Sequence, residues 1–442
     1  MASPPKSPAA GPTAEDASGL AARRAALEVV ETALDRRGGL EDAMAAPALA
    51  ALDPRDRAFA RALALTVLRR RGTLELALNA RLEKAPPEVV RGILRLGAAQ
   101  LLHMDVSDHA AVATSVDLAE ERRTARPFKG LVNAVLRGLV REPPAATPPE
   151  ALAPDWLYQR WRAAYGEETA RAIAAQIAEE PAADLTPRDP ADAPALAEAL
   201  EGELLPGGSI RSPKRGDVTD WPGWEEGRWW AQDASAAVPV RLLAVQPGET
   251  ALDLCAAPGG KTLQLAAAGA KVVALDRSGP RLRRVRDNLK RVGLEAEVVT
   301  ADATTWSDPR TFDAVLLDAP CASTGTFRRH PDMLWLVGPR DIANLAAVQA
   351  RLLRAAADRV KPGGRLVYCV CSLEPEEGEA QVEAFLRARP DFRVDPLALG
   401  EGGAPEASLT PAGYLRILPH HRPGGTDGFF AARLVRLPAE LG

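Results

Sequence analysis

Three stretches of this chain place reactive or ligand-binding side chains at spacings that can do chemistry. The first runs Asp253-Leu254-Cys255-Ala256-Ala257-Pro258-Gly259-Gly260-Lys261-Thr262. Its small residues let a ligand reach the backbone, and Pro258 stiffens the turn. The N–H groups of a helix starting there favour an anion, such as a pyrophosphate or an amino-acid carboxylate. A small-residue turn alone is often no more than a tight strand–helix connection, and this one has neither the Gly-x-Gly-x-x-Gly nor the P-loop pattern. Three carboxylates sharpen the reading, because Asp276, Asp302 and Asp318 each follow an apolar run. Asp276 comes roughly 20 residues after the turn, where an acidic side chain binds ribose hydroxyls. Asp302 is placed to accept from an adenine amino group. One such carboxylate is commonly a helix cap or simply solvated, whereas three at successive strand ends face the crevice in which such sheets bind ligands.

The second stretch is Asp318-Ala319-Pro320-Cys321-Ala322-Ser323-Thr324-Gly325, continuing to Arg328-Arg329-His330. A cysteine is usually a small core residue. Cys321, behind a proline in a Gly/Ser/Thr loop near basic residues, is instead expected in an exposed, electropositive setting that favours thiolate. Arg328, Arg329 and His330 are candidates to hold a phosphate, with a solvated loop as the plain alternative. In the third stretch a turn, Lys361-Pro362-Gly363-Gly364, precedes Arg365-Leu366-Val367-Tyr368-Cys369-Val370-Cys371-Ser372-Leu373-Glu374-Pro375-Glu376-Glu377. Cys371 falls at or just past the end of a strand, and strand alternation aims Cys369 and Cys371 to the same side. The residues alone leave the choice of nucleophile between these cysteines open.

The elements that must position these groups follow from periodicity. From Gly248 onwards short apolar runs (251–254, 272–275, 298–300, 314–317 and 366–368) alternate with longer helical segments, which predicts a doubly wound parallel sheet. Residues 414–418 and 428–435 read as further strands, forming an antiparallel edge. Residues 18–141 read as helices almost throughout, with Asp53-Pro54 as N-cap and first helical position of one of them. Such a run predicts an all-α bundle. The stretch 143–154 is a Pro/Ala/Thr linker, and 155–230 is a connecting region with two helices and a small α/β insert. Residues 1–17 are expected to be a disordered tail.

The 442 residues carry a net charge of -4, so a nucleic-acid partner would require locally concentrated positive charge. Arg122, Arg123, Arg126 and Lys129 are such a cluster, or else a solvated helix end. Four cysteines without a Cys-x-x-Cys argue against a disulfide framework or a zinc site, and for reduced thiols. No signal peptide or membrane span is expected, which points to a cytoplasmic protein with no membrane partner.

Taken together, the motifs resemble the RNA 5-cytosine methyltransferases, and most closely the bacterial branch that acts on small-subunit (16S) rRNA and carries an N-terminal NusB-like domain. Flanking matches are Gln232-Asp233-Ala234-Ser235 and Asp427-Gly428-Phe429-Phe430. In the helical region the matches are Arg55-Asp56-Arg57 and Leu131-Val132-Asn133-Ala134-Val135-Leu136-Arg137. The resemblance implies a Rossmann-like class I methyltransferase domain over 231–442 and an all-α NusB-like RNA-binding domain over 18–142. It implies S-adenosyl-L-methionine as cofactor and RNA, most closely small-subunit rRNA, as partner, with no metal and a monomeric chain. It makes Cys371 the nucleophile, since it precedes Ser372, and gives Cys321 a part in product release. Asp318 would hold the cytosine edge. Cofactor contacts carry over to Cys255, Ala256, Ala257, Pro258, Gly259, Gly260, Lys261, Asp276, Asp302 and Asp318, with Arg281 nearby. The chain departs from the family pattern at Val370 and Gly378, and lacks an Arg-Val-Asn signature near 185–188. Alternatives are the same reaction on tRNA or another RNA, an RNA-binding or antitermination factor whose methyltransferase fold is retired, or a methyltransferase for a protein or small molecule. Two such cysteines would have no clear purpose in the last.

Overall fold

A computed structural model describes residues 14–35 and 39–438. Residues 1–13 of the expected tail lie outside them, and α1 already begins at Ala14 rather than after residue 17 (Ala14–Ala33). Alanine-rich sequence of this kind has high helix propensity, which a composition-based reading of the tail overlooked. The chain divides into two compact units, residues 1–158 with 330–336, and residues 159–329 with 337–442. Among the described residues no helix is long and apolar enough to cross a membrane.

The first unit is helical. After α1 come α2 (Leu40–Met44), α3 (Pro47–Ala50), α4 (Pro54–Asn79), α5 (Glu88–His103), α6 (Asp108–Glu121) and α7 (Lys129–Arg141). Asp53 caps α4 by accepting from the Asp56 N–H at 3.0 Å, and Pro54 takes the first helical position. The helix runs on past residue 71, through Gly72, because Leu74, Ala77 and Leu78 still bury. A Cβ at Gly72 would fall 2.0 Å from the Ala151 carbonyl oxygen, so the glycine marks a close backbone approach. On α7 the buried residues Val132, Val135, Leu136 and Leu139 recur at helical spacing and form one apolar face. Leu27, Leu68, Ile93 and Leu136, from four different helices, are fully buried in a shared core. Within this unit Asp332 accepts from the Leu40 N–H at 3.0 Å, and the Arg71 guanidinium lies 4.7 Å from the Trp335 ring centroid.

The second unit opens with α8 (Asp155–Tyr165, whose first turn belongs to the first unit) and α9 (Glu167–Ala175). A small antiparallel sheet follows, built from β1 (Ala183–Pro187), β2 (Glu203–Leu204), β3 (Ile210–Ser212) and β4 (Trp229–Ala231) in the order β2-β3-β1-β4, with α10 (Ala193–Ala199) against it. Leu185, Leu196, Ile210 and Trp229 form its core.

The main sheet comprises β5 (Thr250–Leu254), β6 (Lys271–Asp276), β7 (Glu297–Thr300), β8 (Phe312–Asp318), β9 (Val360–Val370), β10 (Phe392–Val394), β11 (Leu415–Ile417) and β12 (Phe429–Arg436). Its order is β10-β12-β9-β8-β5-β6-β7, with β11 also on β12. Strands β5 to β9 pair in parallel, and β10, β11 and β12 form the antiparallel edge. Its helices are α11 (Ala234–Leu243), α12 (Gly260–Ala267), α13 (Gly279–Val292), α15 (Pro339–Ala357) and α16 (Glu379–Ala388), while α14 (Met333–Leu336) belongs to the first unit. This is the mostly parallel Rossmann-like architecture with an antiparallel C-terminal edge that the strand–helix alternation predicts. The expected turn at 361–364 lies inside β9. Phe312 pairs with Val360 and Ala314 with Arg365, so Lys361-Pro362-Gly363-Gly364 bulge out of the ladder before pairing resumes.

Candidate active site

At the C-terminal end of β5 the chain turns sharply into α12. Cys255 and Gly259 have positive φ, 62° and 112°. A Cβ at Gly259 would meet the Val285 backbone and side chain at 3.3 Å, so this turn takes glycine both for conformation and for packing. Asp276, 3% exposed at the end of β6, accepts from the Ala257 N–H at 3.2 Å and the Ser278 N–H at 2.8 Å. Arg281 donates to the Ala257 carbonyl at 2.6 Å and lies 3.8 Å from Asp276. Asp302 is exposed and bonded to the N–H and hydroxyl of Thr304, the latter hydrogen bond first among the causes that lower its pKa.

These groups border one cavity of about 170 Å³, lined by Cys255, Asp276, Asp302, Ala303 and Pro320 together with Leu275 and Leu352. Apolar walls with a carboxylate at the ends of β6 and β7 suit a nucleoside, and the turn beside them suits a carboxylate. Beneath the turn, Asp253 is fully buried, accepts from the Thr262 hydroxyl at 2.6 Å, and leaves its Oδ1 without a partner. Burial pushes its carboxyl up to about 7. An orphaned buried acceptor beside a small-residue turn fits the cofactor that the fold implies.

The reactive groups gather at the neighbouring strand ends. Cys371 is the first residue after β9, and its Sγ lies 3.5 Å from the Sγ of Cys321 and 3.6 Å from the Ser323 hydroxyl. The two loops are sewn together. The Gly325 N–H donates to the Cys371 carbonyl at 3.0 Å, and the Gly428 N–H donates to Gly325 at 2.8 Å. Lys261 donates to Asp318 at 2.7 Å and sits 5.1 Å from the Phe429 ring centroid. Burial, the largest single effect, would lower the Lys261 pKa, but the charge and hydrogen bond of Asp318 together with the neighbouring thiols Cys369 and Cys371 raise it. Cys369 is fully buried, 3.5 Å from Asp318, and belongs to the core between β9 and its neighbours. The sheet thus brings the Cys255–Lys261 turn, Asp276, Asp302, Asp318, Cys321 and Cys371 to the C-terminal ends of its parallel strands. It separates Cys369, a packing residue, from Cys321 and Cys371, which are half-buried at the surface of the crevice.

Two expectations need correction. Cys321 is not in a thiolate-favouring setting. Its thiol is pushed well above the ordinary value, first by the hydrogen bond with Cys371, then by burial and the charges of Cys371 and Glu377. Nor are Arg328 and Arg329 available to phosphate. Arg328 is 1% exposed and donates to the Gly424 carbonyl at 2.6 Å. Arg329 pairs with Asp233 at 2.8 Å and Asp427 at 3.3 Å. In the helical unit, Lys129 and Arg126 pair with Glu120 and Arg122 with Glu31, so that cluster is partly neutralised.

Sequence reasoning missed a set of buried side chains around the cysteines. Arg416 donates to the Ser372 carbonyl at 2.5 Å, fixing the residue after Cys371. Glu377 and Gln349, both fully buried, hold the backbone on either side of Cys321. Glu377 was within a quoted motif; Gln349 and Arg416 carried no signal beyond a polar residue in an otherwise apolar run.

A family model described as 16S rRNA methyltransferase RsmB/F matches residues 240–435, and one of the NusB family matches residues 20–141. Ribosomal RNA small subunit methyltransferase B of Salmonella arizonae is 37% identical over 435 residues, 94% of this chain and 98% of the relative. Among solved structures, PH0851 superposes with a TM-score of 0.74 at 25% identity, over 94% of this chain and 98% of that one. NSun6 from Pyrococcus horikoshii, solved with SFG, has a TM-score of 0.55 at 20% identity, over 65% of this chain and 99% of that one, a likeness of fold. The match therefore runs along nearly the full length of both sequences, and this chain belongs to the ribosomal RNA small subunit methyltransferase B family.

Proposed function

We propose that this protein methylates carbon 5 of a cytosine in small-subunit rRNA, through a covalent bond between Cys371 and the base. The observation that carries the reading is the Cys321–Cys371 pair, 3.5 Å apart beside Asp318 at the ends of β8 and β9. S-adenosylmethionine, when bound, supplies an electrophilic methyl group. Cys255 to Lys261, Asp276, Asp302, Asp318 and Arg281 are the residues to hold it. Carbon 5 of cytosine is a weak nucleophile, and attack of the Cys371 thiolate on carbon 6 converts the ring to an enamine, splitting one hard step into two easier ones. Asp318, oriented by Lys261, holds the cytosine edge. The base has to be unpaired or flipped to expose both ring atoms.

Release follows from the same pair. The hydrogen bond with Cys371 and burial push the Cys321 thiol up, so Cys321 keeps its proton while Cys371 attacks. Once Cys371 is bonded to carbon 6 it is a neutral thioether, and the anion that disfavoured ionisation of Cys321 is gone. Cys321 then loses its proton to solvent and takes the one on carbon 5. The carbon–hydrogen electrons re-form the ring double bond and expel Cys371 as thiolate, which restores the starting state. RNA as partner draws support from the NusB-family helical unit.

The test incubates unmodified small-subunit rRNA and tRNA with labelled S-adenosylmethionine, reading 5-methylcytosine and a denaturation-resistant protein–RNA adduct. Wild type is expected to label rRNA, Cys371→Ala to give neither product nor adduct, and Cys321→Ala to accumulate adduct. Full activity in Cys371→Ala would overturn the covalent mechanism, and labelling of tRNA alone would overturn the substrate.

A further inference from the structure

We propose that Glu377 is a positioning residue for product release: with Gln349 it clamps the Cys321 segment against Cys371, keeping the proton acceptor in register with the covalently held base. This rests on the covalent reading above. The clamp has two jaws. The Ala322 N–H donates to both Glu377 oxygens, at 3.0 and 3.2 Å, and the Pro320 carbonyl accepts from the Gln349 amide at 2.9 Å. The peptide groups on either side of Cys321 are thus both held. The jaws are joined, since the same Gln349 amide nitrogen donates to Glu377 at 2.9 Å. Only the NH2 end of Gln349 can serve two acceptors, so its orientation follows from the partners. Glu377 is also tied to the nucleophile's strand, because its carbonyl accepts from the Tyr368 hydroxyl at 2.5 Å. One buried carboxylate therefore links the loop of Cys321 to the loop that follows Cys371.

Its neighbours show that this is a particular arrangement. Glu374 and Glu376 pair with the Arg160 guanidinium, at 2.6 and 2.8 Å. Glu377 is satisfied by an N–H, an amide and the Ser372 hydroxyl, all neutral donors. A carboxylate buried on neutral donors is costly where a neutral side chain would fill the space. Burial pushes the Glu377 carboxyl up; in its ionised form it makes a nearby Cys321 thiolate a stronger base at the release step.

The test compares wild type, Glu377→Gln and Gln349→Ala with Cys321→Ala. Three readouts are taken: first-turnover methyl transfer, multiple-turnover rate with adduct level, and the rate at which diamide joins Cys321 to Cys371 in RNA-free protein. Melting temperatures are followed alongside. Both clamp variants are expected to keep first-turnover transfer within about threefold, to lose about tenfold or more in multiple turnover and to accumulate adduct. They are also expected to form the disulfide more slowly. Wild-type turnover and adduct levels in Glu377→Gln would overturn the proposal. So would an equal loss of first and later turnovers with a lowered melting temperature, the mark of a merely structural residue. If wild type methylates but Cys321→Ala traps nothing, the release role of Cys321 fails. The diamide rates then still decide whether Glu377 fixes the pair, unchanged rates overturning it.

Discussion

A thiol 3.5 Å from another thiol shares its proton with it, and the environment decides which sulfur keeps the charge. Here Glu377 stands behind Cys321, while Cys371 faces Ser323 across the crevice. The carboxylate at Asp318 has a comparable partner in Lys261, a pair in which Lys261 is 11% and Asp318 30% exposed. On the mechanism proposed above, Lys261 serves the reacting base through Asp318 as well as bordering the cofactor's turn. Lys261→Met is expected to lower methyl transfer about a hundredfold, the scale of a positioned acid–base group, while S-adenosylmethionine affinity measured by calorimetry changes far less. A parallel loss of affinity would return Lys261 to the cofactor. At this scale the sequence was most legible where residue types are rare. Two Pro-Cys and Cys-Ser motifs and a string of aspartates stood out, and the sheet brings them together. That Cys321 holds its proton tightly was not legible, because it turns first on its contact with Cys371, fifty positions away, and on burial.

The elements bearing these groups are held by backbone contacts that sequence patterns only hint at. A Cβ at Gly325 would lie 2.2 Å from the Gly428 carbonyl oxygen, a backbone atom that cannot swing aside. Gly325→Ala is therefore expected to push the Cys321 loop away from Cys371, costing at least about a hundredfold in turnover with cofactor binding intact by calorimetry. Gly259→Ala should act in the opposite sense. Its φ of 112° penalises any side chain by about 1–3 kcal/mol, so loss of cofactor affinity is expected before loss of chemistry, again read by calorimetry. Periodicity located β5 to β9 and the edge strands β11 and β12, since buried strands are short apolar runs, but missed the three-residue β10. It failed at 361–364, where Pro and two glycines look like a turn but form a bulge within β9. In the small sheet β1 to β4 the strands are two to five residues long, too short to show a period.

For the molecule as a whole, the buried carboxylate of Asp253 makes stability depend on pH. It titrates near 7 in the fold and near 4 in an unfolded chain. Between those values the folded protein binds a proton that the unfolded chain does not, so this contribution to stability falls as pH rises through that window. Asp253→Asn, which keeps an acceptor for the Thr262 hydroxyl, should melt like wild type near pH 4 and progressively above it towards pH 8. Equal differences at every pH would show that Asp253 is ionised throughout. The helical run over 18–141 and the strand–helix alternation from Gly248 were legible from period, but the division between the units falls at residue 158, well before that change. The assignment of residues 330–336 to the helical unit was not legible, since nothing local marks Asp332 or Trp335 as partners of Leu40 and Arg71.

That assignment has a consequence for how the protein is made. A ribosome delivers the chain in order, and the helical unit is missing a piece when residue 158 emerges. At roughly 5–20 residues per second, the segment carrying Asp332, Leu334 and Trp335 arrives on the order of ten seconds or more later. Leu334 and Asp332 are both buried in the finished protein, so their places in the helices stand open for that interval. The N-terminal unit, though first to be synthesised, is completed only after β8 and the Cys321 loop have left the ribosome.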